Sequence, residues 1–97
     1  MEESHRKVLR KFRLHISRNI DARRITEVLF TNEILDEASK ELILAETTSE
    51  GKAFYLLDVL SRCGPGAFES FLAALHGSGR SFLANEIHRH MSGIEIC

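Results

Sequence analysis

Ninety-seven residues, 43% of them apolar, with one proline and a net charge of −1, describe one globular domain with a single core and exclude a disordered chain or a pair of domains. No apolar stretch approaches the roughly 20 residues of a membrane span. The charged opening from Met1 to Lys7 has no apolar segment behind it to form a signal peptide, so a cytoplasmic setting is expected, with Cys63 and Cys97 as thiols rather than a disulfide.

Apolar residues recur at helical spacing along the whole chain, and no segment alternates long enough to read as a strand. Val8, Leu9, Phe12, Ile16 and Ile20 predict a first helix over about Ser4 to Asn19, with Arg6, Arg10 and Arg13 on another side of it. Asp21 is placed to cap a second helix that buries Ile25, Val28 and Leu29 and ends near Asn32. Asp36 caps a shorter third helix in which Ala38, Leu42 and Ala45 share a face with Ile43 beside them. Thr47 and Glu50 have capping-box spacing and open a fourth helix, striped by Ala53, Leu56, Leu57 and Leu60 up to about Arg62.

Gly64 and Pro65 then punctuate the chain, and Pro65 suits the first turn of a fifth helix, where its missing N–H would be unpaired anyway. Ala67, Phe68, Phe71, Leu72 and Leu75 form the densest apolar face, ended by Gly77 and Gly79. A sixth helix over about Arg80 to Met91 is expected to bury Phe82, Leu83 and Ile87. Six helices with short connections predict an all-α, six-helix antiparallel bundle over residues 1–91, followed by a flexible tail at 92–97.

Catalytic chemistry finds little to work with. His88 and His90 are two apart, which turns them about 200° from each other on a helix, whereas helical metal pairs need a spacing of three or four. His5, His15 and His76 have no ligand at metal spacing. Cys63 at a helix end beside Arg62 has a positive neighbour that could lower a thiol pKa, but no base. Gly64-Pro65-Gly66 and Gly77-Ser78-Gly79 follow no strand and lack a phosphate-binding fingerprint. No catalytic residue, cofactor or metal is expected.

Charge is the informative property, because it separates by segment. Residues 1–24 hold Arg6, Lys7, Arg10, Lys11, Arg13, Arg18, Arg23 and Arg24 against Glu2, Glu3 and Asp21, a net +5. Residues 27–50 hold seven carboxylates against Lys40 alone, a net −6. A basic first helix suggests a nucleic-acid binder as an alternative, yet the later helices are neutral overall and the acidic middle would repel phosphate. Such a dipole suits association with its own kind or a relative.

The segment Leu56-Leu57-Asp58-Val59-Leu60, followed by Gly64-Pro65-Gly66-Ala67-Phe68-Glu69-Ser70-Phe71-Leu72 and Leu75, resembles a caspase recruitment domain of the death-fold superfamily. The opening Lys7-Val8-Leu9-Arg10, with Arg13-Leu14, is similar to the first helix of RAIDD-type adaptors and initiator-caspase prodomains. The resemblance covers residues 2–90. It implies a death-fold bundle of Greek-key type and a non-enzymatic module that binds another caspase recruitment domain, on an initiator caspase or an adaptor, in apoptotic signalling, with self-association a further option. No nucleic acid or membrane partner is implied.

In the commonest contact of that family, basic residues of the first and fourth helices meet acidic residues of the second and third. Here that implies a basic face of Arg6, Arg10, Arg13 and Lys52 and an acidic face of Glu27, Glu33, Asp36, Glu37 and Glu41. One departure is that Glu50, Phe54 and Tyr55 stand at the start of the fourth helix, where strongly basic relatives carry arginines. The basic face is therefore expected to be weaker or partly apolar, and a decoy that caps a partner's assembly is a further reading.

Overall fold

The apolar stripe of the first helix cannot lie on one side of a straight rod. Each step of four residues overshoots a full turn by about 40°, so Val8 and Ile20 would point about 120° apart. The computed structural model, which describes residues 2–64 and 66–96 with side chains through Met91, resolves the conflict by a break at Phe12. Phe12 leaves helical geometry at φ −93° and ψ 6°, separating α1 (Glu3–Lys11) from α2 (Arg13–Asn19). Val8, Leu9, Ile16 and Ile20 are then all buried together.

The chain continues through α3 (Ala22–Thr31), α4 (Glu37–Leu44), α5 (Ser49–Ser61), α6 (Ala67–Gly77) and α7 (Ser81–Ile96). The described residues thus form seven helices rather than the six expected, because α1 and α2 are one helix divided by the break. The fold is otherwise the expected all-α bundle. Helix α5 packs against α1, α2, α3 and α4, while α6 lies between α3 and α7, and α7 returns to α1. Fully buried Ile25, Leu29, Leu56, Leu60, Phe71, Leu75, Leu83 and Ile87 lie in one core.

Capping chemistry sets the helix starts. Asp21 accepts a hydrogen bond from the Arg24 amide at 3.3 Å and Asp36 from the Ser39 amide at 2.8 Å. At α5 the cap is one residue later than expected. Thr48, not Thr47, is extended and accepts from the Gly51 amide at 2.9 Å.

Two helices close with the same C-terminal motif. After α6, the Gly79 amide donates to the His76 carbonyl (3.2 Å) and the Arg80 amide to the Leu75 carbonyl (2.8 Å), with Gly79 left-handed at φ 81°. Gly77 is still helical, so Gly79 makes the turn. After α3, the Glu33 amide donates to Phe30 (3.0 Å) and the Ile34 amide to Leu29 (2.9 Å), with Glu33 left-handed at φ 62° where glycine is the usual choice.

Two faces differ from expectation. In α4 the buried residue is Ile43, and Leu42 is 54% exposed with Ala38 and Ala45 also at the surface. The inner side is Ser39, Lys40, Ile43 and Leu44, where the lysine's carbon stem does the covering and hides the stripe from an apolar count. In α7 the inner side is Leu83, Ala84, Ile87 and Met91, which leaves Phe82 54% exposed. Helix α7 runs to Ile96, past the end expected at Met91. The roles expected of Pro65 and Cys97, and the side chains of the tail at 92–97, lie outside the described residues.

Candidate interaction surfaces

The basic candidates meet on the flank of α5 that faces α1 and α2. Arg6, Arg10 and Arg13 line a cleft of about 120 Å³ with Leu9, Leu57, Asp58 and Ser61. The register is antiparallel, since Arg6 reaches Ser61 and Arg13, seven residues on, reaches Phe54, seven residues back. The Arg6 Nε–H donates to the Ser61 carbonyl at 3.0 Å, satisfying an orphan acceptor at the C-terminus of α5, where the helix dipole also favours a cation. Arg6 is further paired with Glu3 at 3.3 Å. The Arg13 guanidinium lies over the Phe54 ring, 4.4 Å from its centroid. The partly apolar character expected of this face is therefore a half-buried Phe54 roofed by a cation.

Lys52 stands apart from the cleft lining, and its Nζ donates to the Glu46 carbonyl just past α4 at 2.6 Å. Arg80 does the same for the last residue of α2, donating from Nε to the Asn19 carbonyl. A charge count cannot distinguish such helix-end cations from those available to a partner. Arg10 and Arg13 are exposed and extend no hydrogen bond or ion pair to a described residue.

The acidic candidates divide three ways. Glu33 and Asp36 line a larger cleft, about 1040 Å³, between α3, α4 and α5, with Phe30, Ile34, Leu42, Tyr55 and Val59 among its apolar walls and Arg62 on its rim. Glu37 and Glu41 stand one turn apart on the exposed side of α4. Glu27 is paired with Lys40 at 3.3 Å, and that ammonium also lies 4.3 Å from the centroid of the Phe30 ring. Hydrogen bonds from Ser39 hold the Asp36 carboxyl below the usual carboxylate range, the backbone amide first among them.

The two clefts flank one helix. On α5, Phe54, Leu57, Asp58 and Ser61 face the basic side and Tyr55, Val59 and Arg62 the acidic side, about 120° apart by helical rotation. Asp58 and Arg62 join across the ridge between them at 2.8 Å. Neither was among the expected contact residues, because each sits in a segment whose charges cancel. Among the described residues, no ion pair joins the basic segment 1–24 to the acidic segment 27–50.

The family model for the caspase recruitment domain matches residues 6–90. The chain belongs to the caspase recruitment domain family. Such domains are interaction modules rather than catalysts, and they act through like-with-like association in apoptotic and caspase signalling. Over 94 residues the chain is 27% identical to caspase-2 of Gallus gallus, a match covering 97% of this chain and 22% of caspase-2. The recruitment domain thus spans about a fifth of the length of that relative.

The remaining chemically distinctive side chains serve packing in this recruitment domain. His5 stacks on Phe68 with ring centroids 4.1 Å apart, His90 meets the Phe12 ring edge-on at 5.4 Å, and His15 Nε2 lies 3.2 Å from Glu86. The Cys63 Sγ faces the Val59 carbonyl at 3.4 Å. Burial, reinforced by the Asp36 carboxylate, pushes the Cys63 thiol up, which reverses the lowering expected from Arg62 alone. No helix among the described residues is long and apolar enough to cross a membrane.

Proposed function

We propose that this chain recruits the caspase recruitment domain of an initiator caspase or adaptor in the cytoplasm, offering the Arg6, Arg10 and Arg13 cleft to acidic surfaces and the Glu33, Asp36, Glu37 and Glu41 surface to basic ones. The observation that carries the reading is the charge separation within the folded chain. No ion pair among the described residues joins the two segments, so each field remains directed at something outside. Glu33 adds weight, since a non-glycine residue in the left-handed region carries strain, and such strain collects where the side chain is needed. Asp58 within the arginine cleft favours a protein partner over a phosphate backbone.

The test is calorimetric titration with the recruitment domain of Gallus gallus caspase-2 across a salt series. Arg10 is the cleaner variant because it is exposed and, although in the last turn of α1, extends no hydrogen bond to a helix-end carbonyl among the described residues, whereas Arg13→Glu also removes the Phe54 contact, worth about 0.5–1 kcal/mol. Arg10→Glu is expected to weaken binding about tenfold or more and to keep stability within about 1 kcal/mol of wild type, the reversed charge in the last turn of α1 included. Binding that ignores both salt and Arg10→Glu would refute the proposal.

A further inference from the structure

We infer that one end of the bundle, where α2 stops and α3 and α7 start, binds the anionic surface of a lipid bilayer through Arg18, Arg23, Arg24 and Arg80, with Phe82 and Leu14 entering the headgroup layer. None of these six side chains lines either cleft, so the inference stands apart from the charged-face reading above.

The contacts of α7 bring the six residues together. Arg80 stands just before α7, and its Nε–H donates to the carbonyl of Asn19, the last residue of α2. Further along, Glu86 meets His15 and His90 meets Phe12, so α7 runs antiparallel to α2. Phe82 is one turn before Glu86 on the same flank, which sets it level with Arg18. Leu14 is one turn before Arg18 on the outer face of α2, and Arg23 and Arg24 follow in the first turn of α3. All four arginines are exposed, with Phe82 at 54% and Leu14 at 50%.

The arginines are placed against local preference. Arg23 and Arg24 sit in the first turn of α3 and Arg80 just before α7, where the positive helix end disfavours a cation. Among the described residues, none of the four arginines joins an ion pair to offset this. A local conflict without a local gain marks a site kept for something outside the chain. Nearby carboxylates do little to cancel the field. Asp21 caps α3 by accepting from the Arg24 amide, and Glu27 is paired with Lys40. The acidic group that begins at Glu33 lies beyond the ten residues of α3, about 15 Å away and roughly twice the screening length at physiological salt.

Guanidinium groups grip phosphate oxygens with paired N–H donors, and each one near an anionic bilayer strengthens binding about fivefold. The apolar neighbours decide the class of phosphate. Phe82 has a ring on which a nucleobase would stack, but Leu14 has none, whereas both suit the boundary between headgroups and acyl chains. Attachment of this kind lies on the surface and needs no spanning helix. It also uses side chains other than those of the clefts, so an attached domain keeps both clefts for a partner.

The test is flotation of the full chain with vesicles of phosphatidylcholine alone, and of phosphatidylcholine and phosphatidylserine in equal parts. Wild type is compared with Phe82→Gln, Leu14→Gln, the double variant Arg23→Glu/Arg24→Glu, and Arg10→Glu from the other basic surface. Glutamates in the first turn of α3 favour the helix, so the double variant separates lost binding from lost folding, and circular dichroism melts check each protein. Wild type is expected to float with the anionic vesicles alone, and less as salt rises. The double variant is expected to bind at least about 25-fold more weakly and Arg10→Glu less than about fivefold. Each glutamine variant is expected to lose about fivefold or more.

Wild type that floats with neither vesicle, or equally with both, would overturn the inference. A larger loss in Arg10→Glu than in the double variant would overturn the placement at this end of the bundle. Anionic binding indifferent to both glutamine variants would overturn insertion of Phe82 and Leu14. A single-stranded oligonucleotide bound more tightly than the anionic vesicles would assign the arginines to nucleic acid and overturn the bilayer.

Discussion

Glu33 and Gly79 occupy the same place in two copies of one helix-ending motif, so the chain carries its own control. Both are left-handed, at φ 62° and φ 81°, and both are bracketed by the same pair of backbone hydrogen bonds. A residue with a Cβ costs roughly 1–2 kcal/mol in this region, which glycine avoids. Glycine also gains freedom in the unfolded chain, an opposing effect of about 0.4–1 kcal/mol. Glu33→Gly is therefore expected to stabilise the domain by about 0.5–1 kcal/mol, or about 2–8 °C in a chain of this size. Glu33→Ala removes the carboxylate and keeps the strain, so its melting temperature is expected to match wild type within about 0.5 kcal/mol. Gly79→Ala should lower stability by about 1 kcal/mol. Binding to the caspase-2 recruitment domain should weaken alike in Glu33→Gly and Glu33→Ala, which differ in stability but share the lost charge. Thermal unfolding and calorimetric titration of the same samples check both halves. A Glu33→Gly variant that is no more stable than wild type would refute the strain argument, and full-strength binding by both variants would refute a contact role for Glu33.

The position of the α5 cap is tested by a pair of variants: Thr48→Ala should cost about 1 kcal/mol in urea unfolding, while Thr47→Ala should change stability by less than about 0.5 kcal/mol. Thr26 is fully buried and its Oγ1 has no hydrogen-bond partner among the described residues, so Thr26→Val, which keeps the shape, should raise stability by about 1 kcal/mol in the same assay. A loss there would show that the hydroxyl is bonded in solution. Cys63, probed in a Cys97→Ser background, should be alkylated by iodoacetamide more slowly near neutral pH than a thiol in the unfolded chain, with its rate rising at higher pH. The sign for stability follows from the same shift. The unfolded chain loses this proton first, so the contribution of Cys63 is intact below the unfolded thiol pKa and declines as pH rises toward the folded one, a decline that Cys63→Ala should lack.

Much of the bundle was legible because helices advertise themselves by period and by caps. Asp21 and Asp36 bond the amides their positions implied, and Ala53, Leu56, Leu57 and Leu60 are all buried. The break at Phe12 was not explicit in the list of apolar positions, although it follows from their spacing once the drift of 40° per step is taken seriously. The orientation of α4 was hidden because Lys40 occupies its inner side, where its ammonium lies over the Phe30 ring and pairs with Glu27. In eight residues the apolar pattern had too few turns to outweigh that substitution. Thr47, Thr48 and Ser49 are all competent caps, and only the backbone decides among them.

The candidate surfaces were legible as charge and not as geometry. Segment sums located Arg6, Arg10 and Arg13, which one cleft gathers, but they could not show that Lys52 and Arg80 hold helix-end carbonyls. Nor could they find Asp58 and Arg62, which cancel in sequence and meet on the ridge between the clefts. Leu14 and Leu42 were concealed differently, since an exposed leucine looks like a buried one until the faces of its helix are known.

The most direct test of the central claim is amide chemical-shift mapping of the isotope-labelled chain on addition of unlabelled Gallus gallus caspase-2 recruitment domain. The account predicts shifts confined to residues around Arg6, Arg10 and Arg13, or around Glu33 to Glu41, or to both sets, fading together as salt is raised. Shifts centred instead on α6 and the exposed Phe82 of α7, unchanged by salt, would contradict it.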